Sequence, residues 1–189
     1  MIKNKLMTSV LALAISLFAV ATYADTFTLS SSDISGQLTK TQEFTGFGCS
    51  GNNLSPALQW KNAPTGTKSF AVTLYDIDAP TAPLGKGGFW HWNMFNIPST
   101  VTSLEVGAGD LKSGKAPKGS IQGVTSFGAA GFGGPCPPKG DNAHAYIFTV
   151  YALKTENLGL DKHATPAVVG FMLGQNTIQK ASLISYYGR

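Results

Sequence analysis

Three apolar segments constrain the fold more than anything else in this chain. They are Ser69–Tyr75 (Ser-Phe-Ala-Val-Thr-Leu-Tyr), Phe89–Ile97 and Tyr146–Leu153. Each is rich in β-branched and aromatic residues, and each is too short for a stable helix, so each reads as a strand. Ser69–Tyr75 nearly alternates, as a strand with two unlike faces should. Phe89–Ile97 is apolar on both faces and reads as a buried central strand. Regular alternation there would put His91, Asn93 and Phe95 on one face and Trp90, Trp92, Met94 and Asn96 on the other. Glycine and proline clusters separate the segments, drawn from 22 Gly and 10 Pro, and they forbid long helices between them.

Shorter strands are expected at Phe27–Leu29, Pro56–Trp60 and Ala181–Tyr187. One helix should begin after Thr165, a residue able to cap it, with Pro166 at the first helical position. Gly170 and Gly174 lie one turn apart on it and suggest close packing against a neighbour. Strands dominate without βαβ alternation. The class is therefore mainly β, an antiparallel β-sandwich with small peripheral helices.

The first 24 residues have the form of a cleavable export signal. Lys3 and Lys5 precede an apolar run, Leu6–Ala21, and Thr22-Tyr23-Ala24 offers small residues at a cleavage site. The run falls short of the ~20 apolar residues that a membrane-spanning helix needs. Residues 25–189 are then expected to form a single domain in the periplasm or outside the cell. Lys3 and Lys5 carry two charges of the formal +4. What remains is too small a bias to indicate nucleic acid or an anionic membrane surface. Cys49 and Cys136 make an even pair behind an export signal, and both sit in glycine-rich surroundings, so a disulfide between them is expected.

Three segments could carry chemistry. Asp76-Ile77-Asp78-Ala79-Pro80 follows the first strong strand, and its two carboxylates would share a face if the strand continued. Read alone, it is equally a turn in which aspartates cap backbone N–H groups. His91 lies inside an apolar strand, where an imidazole needs hydrogen-bond partners; a structural role and a ligand contact both satisfy that. Gly133–His144 packs glycines and prolines into a rigid loop able to aim backbone N–H groups at an anion. Gly109–Ala116 imitates a phosphate-binding loop, but it lacks the Ser or Thr for magnesium, and Pro117 stands where a helix should start. There is no Gly-x-Ser-x-Gly elbow. The cysteines and the three histidines show no metal-ligand spacing.

Taken in order, these segments resemble the phosphatidylethanolamine-binding protein (Raf-kinase-inhibitor-like) family, in particular its exported bacterial branch. Asp76–Pro80 corresponds to the Asp-Pro-Asp-x-Pro signature. Phe89–Pro98 corresponds to the Trp/His-rich strand ending in Asn-Ile-Pro. Gly134–Tyr146 corresponds to the Gly-Pro-Pro-x-Gly…His-Arg-Tyr signature. The resemblance implies two antiparallel sheets and a shallow anion pocket lined by Asp76, Asp78, His91, Pro138 and His144, with both imidazoles donating N–H bonds to phosphate oxygens. Two positions depart from the pattern: Ile77 replaces a proline, and Ala145 replaces the arginine of the last signature.

The resulting expectation is a non-catalytic protein that binds phosphate-like or phosphoethanolamine-like small anions, needs no cofactor and holds no metal. Two alternatives come from other classes. One is an inhibitor or signalling partner acting on a protein through the Pro-rich loop and the Ser126–Gly134 stretch. The other is a metal-assisted hydrolase using the two histidines and two aspartates. A homodimer is compatible with the resemblance, although no interface can be read in the sequence.

Overall fold

The computed structural model describes residues 25–80 and 87–189, so the export-signal reading of residues 1–24 lies outside the described residues. Ten strands and one helix follow in order. They are β1 (Thr28–Ser30), β2 (Thr45–Gly46), β3 (Cys49–Ser50), β4 (Leu58–Lys61), β5 (Ser69–Asp76), β6 (Phe89–Pro98), β7 (Ser103–Leu104), β8 (Ile121–Gln122), β9 (His144–Leu153), α1 (Pro166–Asn176) and β10 (Thr177–Tyr187). A five-stranded sheet has the order β10-β9-β5-β6-β8, and a three-stranded sheet has the order β1-β4-β7. All named strand pairs are antiparallel. The ribbon β2-β3 stands apart from both sheets.

The alternation in β5 builds the main core. Phe70, Val72 and Leu74 point inward to meet Trp92, Met94, Phe148 and Val150 from their own sheet and Leu58, Trp60 and Leu104 from the other. Burying each such side chain contributes ~1.5–3 kcal/mol. The intervening Ala71 faces the opposite side, where Phe95, Leu153 and Leu158 form a second cluster with Val169 and Leu173 of α1. Val169 and Leu173 are four residues apart, so they share one helix face.

β6 is an interior strand as expected, buried along most of its length between β5 and the two-residue β8, and β5 holds the middle of the sheet. The expectations for α1 change. Thr165 precedes α1 in extended conformation, but its side chain makes no capping bond. Gly170 and Gly174 do not mark a close approach. A Cβ at Gly170 would meet Trp90 at an ordinary 3.5 Å, and one at Gly174 would meet nothing.

The alternation in β6 is broken by a bulge. Leu74 pairs with Trp92 and Tyr75 with Trp90, which leaves His91 as the extra residue. A bulge re-aims a side chain. His91 therefore faces Tyr146, a member of the main core with Trp92 and Met94, whereas Phe95 belongs to the second cluster. Trp90 turns to the other face, against Tyr75. The regular-strand assignment of His91 with Asn93 and Phe95 is thus corrected by one inserted residue.

Cys49 and Cys136 form the expected disulfide, with Cα atoms 6.0 Å apart across a sequence separation of 87. It joins the β2-β3 ribbon to the Pro-rich loop. On the chain-entropy account, closing a loop of this length stabilises by about 4 kcal/mol. Cys49→Ser with Cys136→Ser should lower the unfolding free energy by roughly that amount in urea titrations. Gly174→Ala should have the opposite sign. Its Cβ enters open space, so the helix gains about 0.5–1 kcal/mol, measurable as a raised melting temperature.

Candidate functional site

The site forms where three core strands meet at one end of the large sheet. Asp76 is the last residue of β5, Phe89 the first of β6 and His144 the first of β9, and the register sets Asp76 opposite both Phe89 and Tyr146. Asp76 continues the inward series Phe70, Val72, Leu74. A carboxylate therefore occupies a core-facing position, and it is buried. Burying a charge is costly unless hydrogen bonds replace water. Asp76 Oδ1 accepts the N–H groups of Asp78 (2.9 Å) and Ala79 (3.2 Å). Its Oδ2 lies 2.8 Å from Nδ1 of His144, so that ring nitrogen carries the proton and donates it.

The same bonds decide the fate of Asp78. The strand ends at Asp76, whose carboxylate turns the following chain, as aspartates do in turns. Asp78 leaves the face it would have shared. Its Oδ2 instead accepts the N–H of Ala145 at 2.8 Å and ties the turn to β9. The cavity next to the site, about 270 Å³ in volume, is lined by Asp76, His91, Pro138 and His144 but not by Asp78. The structure thus brings four of the five expected pocket residues together and places the fifth behind them.

His91 is clamped from the opposite side. Its Nδ1 is 2.8 Å from the carbonyl of Gly133 and 3.1 Å from that of Gly134. Carbonyls only accept, so Nδ1 carries the proton, and Nε2 of the neutral ring offers a lone pair. Burial pushes this imidazole down to about 4. The two carbonyl bonds and the Asp76 charge pull upward but do not overcome it. At neutral pH His91 is therefore an acceptor, and the expectation that both imidazoles donate to phosphate is revised at this residue. The N–H groups of Gly133 and Gly134 bond to His91 O and Asn53 Oδ1, and Pro135, Pro137 and Pro138 have none. The loop gives carbonyls to His91 and prolyl rings to the wall.

Residues outside the expected pocket set complete the cavity. Phe47, Phe89, Phe127 and Pro80 make it largely apolar. Tyr146 lies on its floor two residues along β9 from His144, on the same face. Burial and the Asp76 charge hold the Tyr146 phenol far above the ordinary range, so it stays a neutral O–H. Its oxygen, His144 Nε2 and Asp141 Oδ2 are buried with no hydrogen-bond partner among the described residues. Such groups call for a bound water or ligand. Tyr146 could have been found from its place at i+2 from His144. Phe47 and Phe127 lie far away in sequence and had no local signal. Among the described residues, no three of His, Cys, Asp and Glu are arranged to hold a metal ion.

The depressed His91 gives a signed pH dependence. Between pH 6.5 and about 4, the unfolded chain binds a proton at this ring that the folded chain does not. The contribution of the neutral ring to stability is complete above that window and is lost as pH falls through it. Urea unfolding at pH 7, 5.5 and 4.5 should show this decline. His91→Gln, whose amide can still donate to Gly133, should flatten it.

Comparisons with known proteins agree with this arrangement. A sequence model described as phosphatidylethanolamine-binding protein matches residues 34–188. The UPF0098 protein YbcL of Escherichia coli is 53% identical over 151 residues, 80% of this chain and 80% of the relative. YbhB of the same organism is 43% identical over 146 residues, 76% of this chain and 87% of the relative. The crystal structure of E. coli YbcL, described as a new member of the mammalian PEBP family, matches with a TM-score of 0.82 at 50% identity, covering 86% of this chain and 98% of that one. A phosphatidylethanolamine-binding protein homolog from Chlamydia trachomatis matches with a TM-score of 0.71 at 27% identity, covering 86% and 97%. With the two antiparallel sheets, and with Asp76, His91 and His144 converging at one sheet end, the chain belongs to the phosphatidylethanolamine-binding protein family.

Proposed function

We propose that this chain is a non-catalytic, exported protein that binds small phosphate-like anions or phosphoethanolamine-like head groups in the cavity above Asp76. The observation that carries this reading is a pair of buried polar atoms without a hydrogen-bond partner among the described residues, Tyr146 Oη and His144 Nε2, on two residues that line an otherwise largely apolar cavity. A phosphate oxygen accepts from the Tyr146 O–H. A P–OH group or an ammonium N–H donates to the lone pair of His91 Nε2. The Asp76 charge disfavours a full dianion, so the site favours a protonated phosphate or a zwitterionic head group. Few direct contacts imply weak binding. Among the described residues no Ser, Thr or free thiol lines the cavity, and the one sulfur residue among them, Cys136, is held in the disulfide. That favours binding over nucleophilic chemistry. Export is supported by the form of residues 1–24 and by the disulfide, which suits an oxidising compartment.

NMR titration with inorganic phosphate and with phosphoethanolamine tests the reading. The His91 and His144 ring signals should move saturably, and their immobility would sink the proposal. Binding of inorganic phosphate should strengthen as pH falls from 7 toward 5, because the phosphate gains a proton that can be donated to His91. Tyr146→Phe removes a hydrogen bond to a charged ligand, worth about 1.5–3 kcal/mol, so affinity should fall roughly 10- to 100-fold.

A further inference from the structure

Phe47 occupies an unfavourable place twice over. It sits at the tip of the β2-β3 ribbon, where Thr45 pairs with Ser50 and Gly46 with Cys49. The two turn residues are Phe47 (φ 51°) and Gly48 (φ 80°). Positive φ at both positions defines a tight hairpin turn that favours Asn and Gly, and a bulky aromatic there is strained. The ring is also 75% exposed. Strain at an exposed aromatic calls for a functional explanation. Phe47 supplies one: it lines the cavity, and its ring stacks 5.9 Å from that of Phe127.

Something must hold this tip in place. The disulfide ties the ribbon at Cys49, on the stem. The tip is tied by Arg189. Its Nε donates to the carbonyl of Pro137 at 2.6 Å, and its Nη1 donates to that of Gly48 at 2.9 Å. Pro137 lines the cavity from the other side. The guanidinium thus bridges two walls, and among the described residues it meets no carboxylate. Its position follows from register. Tyr187 lies opposite His144 and Tyr186 opposite Ala145, so the chain leaving β10 passes beside the start of β9. Position 145 itself, where the family signature has arginine, is alanine.

We propose that Arg189 is a positioning residue. It holds Phe47 against Phe127 and so sets the preference of the cavity for phosphate monoesters bearing an apolar group over inorganic phosphate. The proposal rests on the anion reading above and adds to it the chemistry of the substituent. A planar fork with two fixed donors suits two carbonyls at once, which a lysine ammonium does not reproduce.

The test uses phenyl phosphate and inorganic phosphate as probes, with wild type, Arg189→Ala, Arg189→Lys, Phe47→Ala and the Phe47→Ala/Arg189→Ala double variant. In Arg189→Ala the Phe47–Phe127 ring NOE should vanish. The affinity ratio of phenyl phosphate to inorganic phosphate should fall about 2- to 10-fold, as expected for loss of one aromatic contact. Arg189→Lys should recover neither in full, and it carries the same comparison should Arg189→Ala fail to fold. The double variant should show no larger loss than Phe47→Ala alone, because Arg189 acts through Phe47. A persisting NOE, full rescue by lysine or additive losses would each overturn the proposal. If wild type bound neither probe, the anion reading would fail, and the NOE comparison would still decide the positioning role.

Discussion

The site depends on one buried carboxylate. Asp76 stands at a position that strand geometry turns toward the core, and an aspartate there must find hydrogen-bond donors. It finds them in the backbone that follows it and in the first side chain of β9. Meeting that need ends β5, bends the chain through Asp78 and Ala79, and orients the His144 ring. An apolar residue in the same place would leave the turn without its acceptor and His144 Nδ1 without its partner. Fold and site are therefore not separable here, because one desolvated charge organises both.

The electrostatics of the cavity are less positive than an anion site suggests. Among the described residues no Lys or Arg lines it, and His91 is held neutral by burial. What it offers is a donor in Tyr146, an acceptor in His91, a carboxylate between them and a wide apolar wall. Under the proposed reading, that combination would discriminate by protonation state and by substituent rather than by net charge.

The rim is held from several directions. Glu43 is buried beside the ribbon and accepts from Lys40, from the Ser50 N–H and from the Tyr187 hydroxyl. Burial raises its carboxyl, but these bonds prevail and hold it down at about 2. Glu43 thus anchors the ribbon to the end of β10, as the disulfide anchors it to the Pro-rich loop and Arg189 anchors it at the tip. These ties connect residues separated by 87 or more positions and converge on a loop that has little core of its own.

The residues that sequence reasoning reached are those whose role is encoded locally. The strands at Ser69–Tyr75, Phe89–Ile97 and Tyr146–Leu153 could be read because burial on one or both faces imposes their composition. Asp76, His91, Pro138 and His144 could be read because they sit in short signatures at strand ends. Three matters were decided only in tertiary structure. Asp78 left the pocket because a hydrogen-bonded turn, not a continuing strand, follows Asp76. His91 changed faces because the β5 partner is one residue shorter than β6 across the bulge, and a strand's pattern does not report its partner's register. Phe47, Phe127 and Arg189 joined the site because sheet order and the disulfide bring distant loops together. The sequence by itself determined where chain must be strand and which groups must be buried, since those follow from the chemistry of each residue and its neighbours. Only the tertiary structure decided which buried groups face one another, since that depends on pairing register and on contacts made across the whole chain.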